Sequence, residues 1–290
     1  MALIPPFFLD CVTAIGLPGP DGNPRYTATG FLYGRFEKQE GPEEKLYRIY
    51  LVTNRHVFKD ASIAYVRFNP EAEEPARQYD VQLLTADKKP AWFGHPDPEI
   101  DVAVVPINAR LLKEQGIRFS FFSSDEHVAT RAEALRLGLT EGDGVFVLGF
   151  PMGYVGEKRN FVIVRQGVLA RVRDCLSGGS KEFLVDCSVF PGNSGGPVVS
   201  RPEVVSIQGT TAPSKAMLLG IVAGYVPYQD VAISLQTNRP RVIFEENSGL
   251  AAAFTIDYVA ETIEGASAEL PQQAKEKPIS VDARANPDAK

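Results

Sequence analysis

The sequence contains little cysteine, and the three cysteines fit no metal-binding motif. Cys11, Cys175 and Cys187 are an odd number at irregular spacings, which argues against a disulfide scaffold and against a zinc ribbon. If residues 177–180 form a hairpin turn, Cys175 and Cys187 are offset by five residues, about 16 Å along the strands. That separation exceeds the reach of a disulfide. Free thiols in turn favour a reducing compartment.

An excess of basic charge and long apolar runs are also lacking. The chain has 30 Lys and Arg residues against 36 Asp and Glu residues, a net charge of -6, so neither nucleic acid nor an anionic membrane is expected as a partner. No window is long and apolar enough to span a bilayer. The first ten residues, MALIPPFFLD, lack a basic segment and a small-residue cleavage site, so no export signal is expected. These absences predict a cytoplasmic protein.

Long helices do not alternate with the strands, and short β-prone runs dominate. Segments such as YTATGFLYG, LYRIYLVTN and GVFVLGF are rich in β-branched and aromatic residues and are bounded by turn residues. This pattern predicts an all-β sandwich or barrel. Helices are expected after Ala109, after Ala129 and over Ile256–Glu264, where apolar residues recur at helical spacing. From Gly265 onward the sequence is polar and is predicted to be disordered.

Histidine is equally scarce, and one of the three stands where a strand should end. His56 follows the β-prone run LYRIYLVTN. Asp101 precedes the apolar run VAVVPI, a position where a carboxylate is unfavourable unless another group donates a hydrogen bond to it. His56 is a candidate donor. His95 and His127 lie among polar residues and are expected at the surface.

A serine surrounded by glycines and prolines completes a group that can perform nucleophilic catalysis. Ser194 lies within FPGNSGGPV. A serine hydroxyl needs a base to accept its proton and a third group to orient that base, and His56 and Asp101 fit these two roles. The resulting oxyanion needs two fixed donors, for which the N–H groups of Gly192 and Ser194 are candidates. The glycines allow the tight turn that such donors require.

Three motifs, LVTNRHV, DVAVVPI and PGNSGGPVV, follow one another with 45 residues from histidine to aspartate and 93 from aspartate to serine. In order and spacing they resemble the motifs of the chymotrypsin-fold (trypsin-like) serine peptidases, over roughly residues 25 to 264. The resemblance implies an all-β protein with two antiparallel six-stranded β-barrels, an active site in the cleft between them and a C-terminal helix. The implied organisation is an N-terminal segment (1–24), a first barrel with the histidine and aspartate (25–125), an inter-barrel connection (126–142), a second barrel with the serine and the helix (143–264), and a disordered tail (265–290).

Asn193, the residue before the expected nucleophile, makes the chain resemble the bacterial trypsin-like and Deg-type subgroup. Digestive-type zymogens are activated when a new amino terminus pairs with an aspartate at this position, whereas Asn193 has no charge to offer. Activity is therefore expected without N-terminal cleavage. About 25 polar residues follow the last expected helix, too few for a PDZ domain, so none is expected.

The resemblance also implies a substrate pocket. Ser188 would lie at its base, where a neutral residue argues against specificity for Lys or Arg. Ala223, Gly224 and Tyr225 would form the strand that pairs with the substrate backbone, and Gly249 would form the opposite wall. Tyr225 is expected to shorten the pocket and to favour small or medium apolar side chains. Ala223 replaces a serine that supports the aspartate in many relatives.

The sequence thus predicts a serine endopeptidase that cleaves protein or peptide substrates through a covalent acyl-enzyme. No metal or cofactor is expected. Because an intracellular protease needs restraint, a selective substrate or a regulatory protein partner is expected to control it. Two alternatives remain open: a catalytically silent binding module with the protease fold, and an esterase that uses the same nucleophile.

Overall fold

The computed structural model describes residues 3–41, 44–203, 214–269 and 279–282. The N-terminal half is an open, mostly antiparallel sheet that follows a short helix, α1 (Phe7–Asp10). Its main strands are β1 (Val12–Pro18), β2 (Pro24–Gln39), β3 (Glu44–Thr53), β4 (Ile63–Pro70), β5 (Arg77–Gln82), β6 (Phe93–Gly94) and β7 (Ala103–Pro106). They lie in the order β5-β4-β1-β2-β3-β7-β6. A one-turn helix, α2 (Arg55–Phe58), follows β3.

Short elements complete this half. Helix α3 (Ala109–Glu114) precedes β8 (Ile117–Arg118), which pairs with β4, and β9 (Phe122–Ser123), which pairs with β2. This half is a half-barrel where a closed six-stranded barrel was expected, because among the described residues its ten-stranded sheet stays open. At the two ends of this sheet, β5 is mostly exposed and β6 is two residues long.

The C-terminal half confirms the expected closed six-stranded barrel. Helix α4 (Arg131–Arg136) leads into β10 (Gly144–Gly149), β11 (Ile163–Arg171), helix α5 (Arg173–Leu176), β12 (Glu182–Asp186), β13 (Pro197–Ser200), β14 (Leu218–Ile233) and β15 (Pro240–Thr255). The barrel closes in the order β10-β11-β12-β15-β14-β13. Both internal helices that the sequence indicated, α3 and α4, are present.

A shared apolar core joins the two halves to the last helix, α6 (Ile256–Glu269). In that helix Ile256, Val259 and Ile263 are 0%, 0% and 1% exposed, the spacing of a stripe along one helix face. They belong to one buried cluster with Phe31 of the sheet and Phe254 of the barrel. Burial of a large apolar side chain contributes about 1.5–3 kcal/mol to folding, so α6 stabilises the junction on which the site depends.

The end of the chain differs from the predicted disordered tail over 265–290. Helix α6 continues to Glu269, and β16 (Ile279–Asp282) pairs antiparallel with β3 opposite Tyr47 to Glu44. Strand β7 covers β3 only from Tyr50 to Thr53, which leaves the earlier part of β3 open to another strand. Residues 270–278 and 283–290 lie outside the described ranges. Within those ranges, no helix is long and apolar enough to cross a membrane.

Two histidines expected at the surface are packed against other elements. His95 is 7% exposed, and its Nε2 lies 3.0 Å from a carboxylate oxygen of Glu261 in α6. His127 is partly buried, and its Nδ1 accepts a hydrogen bond from the backbone N–H of Ser123 at 3.0 Å. Burial lowers the pKa of His127. The polar neighbours in sequence gave no sign of this packing, which depends on distant elements.

The three cysteines are free thiols, as expected, and all are buried. Cys175 lies in α5, and the Cβ of Cys187 lies close to Gly167. A hairpin turn at 177–180 would have placed Cys187 opposite Ala170 instead. Two residues of this shift arise in the connection through α5, and one arises from a bulge in β11. Burial raises the pKa of Cys175 to about 11 and raises the pKa values of Cys11 and Cys187.

We therefore expect all three thiols to resist alkylation in the folded protein, because burial restricts access and the raised pKa values suppress the thiolate. Iodoacetamide labelling at pH 8 followed by mass spectrometry should modify none in native buffer within minutes and all three in 6 M guanidinium. Rapid native labelling of Cys175 would contradict the described packing.

Candidate active site

His56 is fixed by the short helix that follows β3. Its neighbours Val57 and Phe58 are 5% and 0% exposed and anchor this turn in the core. The His56 side chain itself is 52% exposed. The backbone after strand β3 is therefore rigidly held, while the imidazole stays accessible to a substrate.

Asp101 lies two residues before β7, between the fully buried residues Ile100 and Val102. Its Oδ2 lies 2.5 Å from His56 Nδ1, and its Oδ1 accepts a hydrogen bond from the His56 backbone N–H at 2.9 Å. The Asn54 side chain donates to the Asp101 carbonyl oxygen at 2.7 Å. Since an ionised carboxylate only accepts hydrogen bonds, Nδ1 is the protonated nitrogen of a neutral His56. Nε2 is then left as a base.

Ser194 lies in a tight turn whose backbone forms its own hydrogen bonds. The Asn193 N–H donates to the Phe190 carbonyl at 2.9 Å, and the Gly196 N–H donates to the Asn193 carbonyl at 2.8 Å. The Asn193 side-chain oxygen accepts from the Phe190 N–H at 3.0 Å. Gly195 has a φ of +83°, and a Cβ there would lie 2.2 Å from the carbonyl oxygen of Thr29. Only glycine fits this position.

The oxyanion-hole candidates have no hydrogen-bond acceptor in the structure. Among the described residues, neither the Gly192 N–H nor the Ser194 N–H is bonded. Gly192 has a φ of +103°, and a Cβ there would lie 2.3 Å from the Phe150 carbonyl oxygen. Two unpaired N–H groups beside a serine are the donors that an oxyanion requires.

Thr29 of β2 holds this turn from the other half of the protein, and sequence reasoning did not identify it. It is fully buried. Its Oγ1 donates to the Gly192 carbonyl at 2.6 Å and accepts from the Phe150 N–H at 3.0 Å, while its N–H donates to the Ser194 carbonyl at 2.9 Å. The Thr53 hydroxyl in turn donates to the Thr29 carbonyl at 2.8 Å. The sign of this role in the sequence was a threonine hydroxyl within the β-prone run YTATGFLYG.

The structure brings His56 and Asp101 into direct contact but does not hydrogen-bond Ser194 to them. Ser194 Oγ donates to the Ala223 carbonyl at 3.3 Å, and no hydrogen bond joins it to His56 among the described residues. A change of the Ser194 χ1 rotamer would redirect the hydroxyl. Catalytic hydrogen bonds are often long or unmade before a substrate binds.

The expected pocket residues lie near one another around the start of the β14–β15 hairpin. Ser188 is exposed, and Ala223, Gly224, Tyr225 and Gly249 are partly buried. The Tyr225 hydroxyl donates to Glu245 at 2.7 Å, so its ring extends along the hairpin. The Gly249 carbonyl accepts from the Cys187 N–H at 3.0 Å, which connects this wall to the segment before Ser188.

An all-β molecule with His56 and Asp101 on one half and Ser194 on the other has the arrangement of chymotrypsin-like proteins. The chain belongs to the trypsin-like peptidase family. The model of the trypsin-like peptidase domain matches residues 28–206, a range that includes all three residues.

Two curated bacterial proteins, each called a probable periplasmic serine endoprotease DegP-like, are similar in sequence. The protein from Rhizobium meliloti (strain 1021) is 30% identical over 192 residues, 65% of this chain and 29% of that protein. The protein from Chlamydia pneumoniae is 26% identical over 192 residues, 66% of this chain and 31% of that protein. The chain therefore spans less than a third of these relatives.

Solved structures with a similar fold include the MamO protease domain from Magnetospirillum magneticum in its apo form. Its TM-score is 0.46 at 15% identity, over 88% of this chain and 96% of that chain. The HtrA-type protease AlgW with a decapeptide has a TM-score of 0.47 at 16% identity, over 91% of this chain and 66% of that chain.

Replacing Thr29 by valine should destabilise the protein by about 1–3 kcal/mol, because the Gly192 carbonyl and the Phe150 N–H would lose a buried partner. Urea denaturation measures this change. Thr29→Ser keeps the hydroxyl and serves as the control, with a smaller loss expected. Equal stability of Thr29→Val and the wild type would contradict the described role of the hydroxyl.

Proposed function

We propose that the protein is a serine endopeptidase in which Ser194 is the nucleophile, His56 the base and Asp101 the group that orients His56. The observation that supports this most directly is the two-point contact of Asp101 with the His56 ring and backbone. Such a contact fixes the tautomer in which Nε2 can accept a proton. Family membership supports the same chemistry.

In the proposed reaction, Ser194 Oγ forms a bond to the carbonyl carbon of the substrate while its proton moves to His56 Nε2. The carbonyl oxygen becomes an oxyanion that accepts hydrogen bonds from the Gly192 and Ser194 N–H groups. When the C–N bond breaks, the proton on Nε2 passes to the leaving amine and an acyl-enzyme remains. A water molecule, deprotonated by His56, then hydrolyses the ester and regenerates Ser194.

The substrate is proposed to pair its backbone with Ala223, Gly224 and Tyr225 in an antiparallel manner. Ser188 at the pocket base is neutral, which favours an apolar over a basic side chain before the cleaved bond. Tyr225 is anchored by Glu245 and is proposed to limit the pocket to small or medium side chains. Gly249 completes the opposite wall.

Regulation and location remain predictions. A cytoplasmic location is favoured by three free, buried thiols, whereas the names of the curated relatives place those proteins in the periplasm. Control by a selective substrate or by a regulatory protein partner is also proposed, because the activity of a protease among other cellular proteins must be restricted.

A fluorophosphonate probe tests the nucleophile. We expect labelling of the wild type at Ser194, located by peptide mass spectrometry, and none in Ser194→Ala. His56→Ala should reduce the labelling rate by at least about a hundredfold, and Asp101→Asn should reduce kcat on a peptide by about 10⁴ because the wrong tautomer is favoured. Circular dichroism of each variant controls for folding.

The outcomes separate the proposed function from its alternatives. Absence of labelling in the folded wild type would favour a silent binding module and contradict the proposal. Labelling with turnover of esters but not of a peptide library would favour an esterase.

Activation by N-terminal processing is testable in the same assay. We expect the intact chain to react, because Asn193 is held by Phe190 within its own turn and has no charge to pair with a new amino terminus. Edman sequencing of the labelled protein should return the original N-terminus. Labelling that begins only after limited proteolysis of the first residues would show this expectation to be wrong.

A further inference from the structure

Strands β14 and β15 extend beyond the barrel as a two-stranded hairpin. They pair from Gly220 and Thr255 out to Ile233 and Pro240, yet residues 227–233 and 240–246 are all exposed. At about 3.3 Å per residue, the seven residues of each strand outside the barrel extend about 23 Å. Residues 227–246 are called the β-arm below.

Both faces of the β-arm expose large apolar side chains. On one face Val231 lies opposite Ile243, and on the other Phe244 lies opposite Asp230. The exposed fractions of these apolar side chains are 41%, 60% and 56%. The further exposed apolar residues of the arm are Tyr228, Ile233, Leu235 and Val242. Because an isolated two-stranded ribbon is only marginally stable in water and clustered exposed apolar groups mark interaction sites, the β-arm is suited to bind a further strand.

The edge of β14 that could accept this strand begins at the nucleophile. Strand β13 pairs with β14 only as far as Ile221. Val222 then bonds to the turn that contains Ser194, and the Ala223 carbonyl accepts from Ser194 Oγ. From Gly224 outward, β14 has a strand partner only on its β15 side among the described residues. One open edge therefore runs from the proposed site along the β-arm.

The direction of β14 decides which part of a substrate would occupy this edge. The strand runs away from Ser194 as the residue number rises from 223 to 233. An antiparallel chain on it must run toward Ser194 from its N-terminal to its C-terminal end. The residues on the β-arm would then be those that precede the bond to be cleaved.

We propose that the β-arm binds the extended segment of a protein substrate upstream of the cleaved bond, as a strand added to β14. This inference rests on the proposed peptidase function and on the pairing proposed for Ala223 to Tyr225, with which the edge is continuous. The charged residues of the arm are of both signs: Asp230, Glu245, Glu246, Arg239 and Arg241. Selection therefore depends on backbone hydrogen bonds and alternating apolar contacts, which suits an unfolded chain rich in apolar residues.

Three peptides test the proposal. An eight-residue peptide that the wild type cleaves is compared with the same peptide extended by ten alternating valine and threonine residues, either at the N-terminus or at the C-terminus. We expect the N-terminal extension to lower KM about tenfold and the C-terminal extension to change it less than twofold, since added backbone pairing and apolar contact exist on one side only.

The variants Val231→Ser with Ile243→Ser, and a shortened arm in which Asn-Gly replaces residues 230–244 so that Glu245 is kept, should abolish the benefit of the N-terminal extension. Both should keep the kcat for the short peptide and the rate of fluorophosphonate labelling within twofold. The matched control is Leu135→Ser, which removes a side chain that is 56% exposed on α4 and should keep the full tenfold effect.

Equal effects of the two extensions, or an undiminished benefit in both arm variants, would overturn the proposal. Light scattering adds a second criterion: a wild-type dimer that becomes monomeric in the serine double variant, with unchanged peptide kinetics, would assign the β-arm to a second copy of this chain and also overturn it.

Failure of the proposed function would be distinguishable. If the wild type neither cleaves peptides nor reacts with the probe, the proposed peptidase function fails. Fluorescence anisotropy then measures binding of the labelled ten-residue extension to Ser194→Ala, with and without the arm substitutions. This measurement decides whether the β-arm binds an extended chain. Arm-dependent binding would support strand addition, and its absence would end this proposal as well.

Discussion

The contact between Thr29 and the turn around Ser194 is the constraint on which the proposed site depends. The two halves of the chain each supply part of the proposed site, His56 and Asp101 on one side and Ser194 on the other. Thr29 joins them at the level of the backbone, because its hydroxyl fixes the Gly192 carbonyl and its N–H fixes the Ser194 carbonyl. With both carbonyls held, the N–H groups of Gly192 and Ser194 have no partner among the described residues. A preorganised pair of donors costs no rearrangement when charge develops on a substrate.

Much of this arrangement could be predicted from local patterns. The three motifs lie in the family's order, and the β-prone runs and the periodicity of Ile256 to Ile263 are strong enough to indicate strands and a final helix. What could not be predicted depends on distant contacts. The sheet of the first half stays open among the described residues, and β16 pairs with the part of β3 that β7 does not cover. Thr29 resembles any strand threonine until the turn around Ser194 is placed beside it.

The β-arm also could not be predicted from the sequence. The sequence suggested a substrate-pairing strand at Ala223 to Tyr225, but the exposure of the residues that follow it, from 227 to 246, is a property of the fold rather than of composition. The apolar residues of VAISL and RVIFE would equally suit a barrel strand. The position of the arm suggests its role, because β14 passes Ser194 before it leaves the barrel. The proposed pocket strand and the arm thus belong to one strand, β14, which passes beside Ser194.

The central claim is that His56, Asp101 and Ser194 form one catalytic unit with the Gly192 and Ser194 N–H groups. A crystal structure of the protein after reaction with diisopropyl fluorophosphate tests it most directly. The account predicts a covalent bond from Ser194 Oγ to phosphorus, a phosphoryl oxygen about 2.7–3.1 Å from both N–H nitrogens, and His56 Nε2 within about 3.2 Å of an oxygen bonded to phosphorus. A phosphoryl oxygen directed away from both N–H groups, or His56 out of hydrogen-bonding reach, would contradict it.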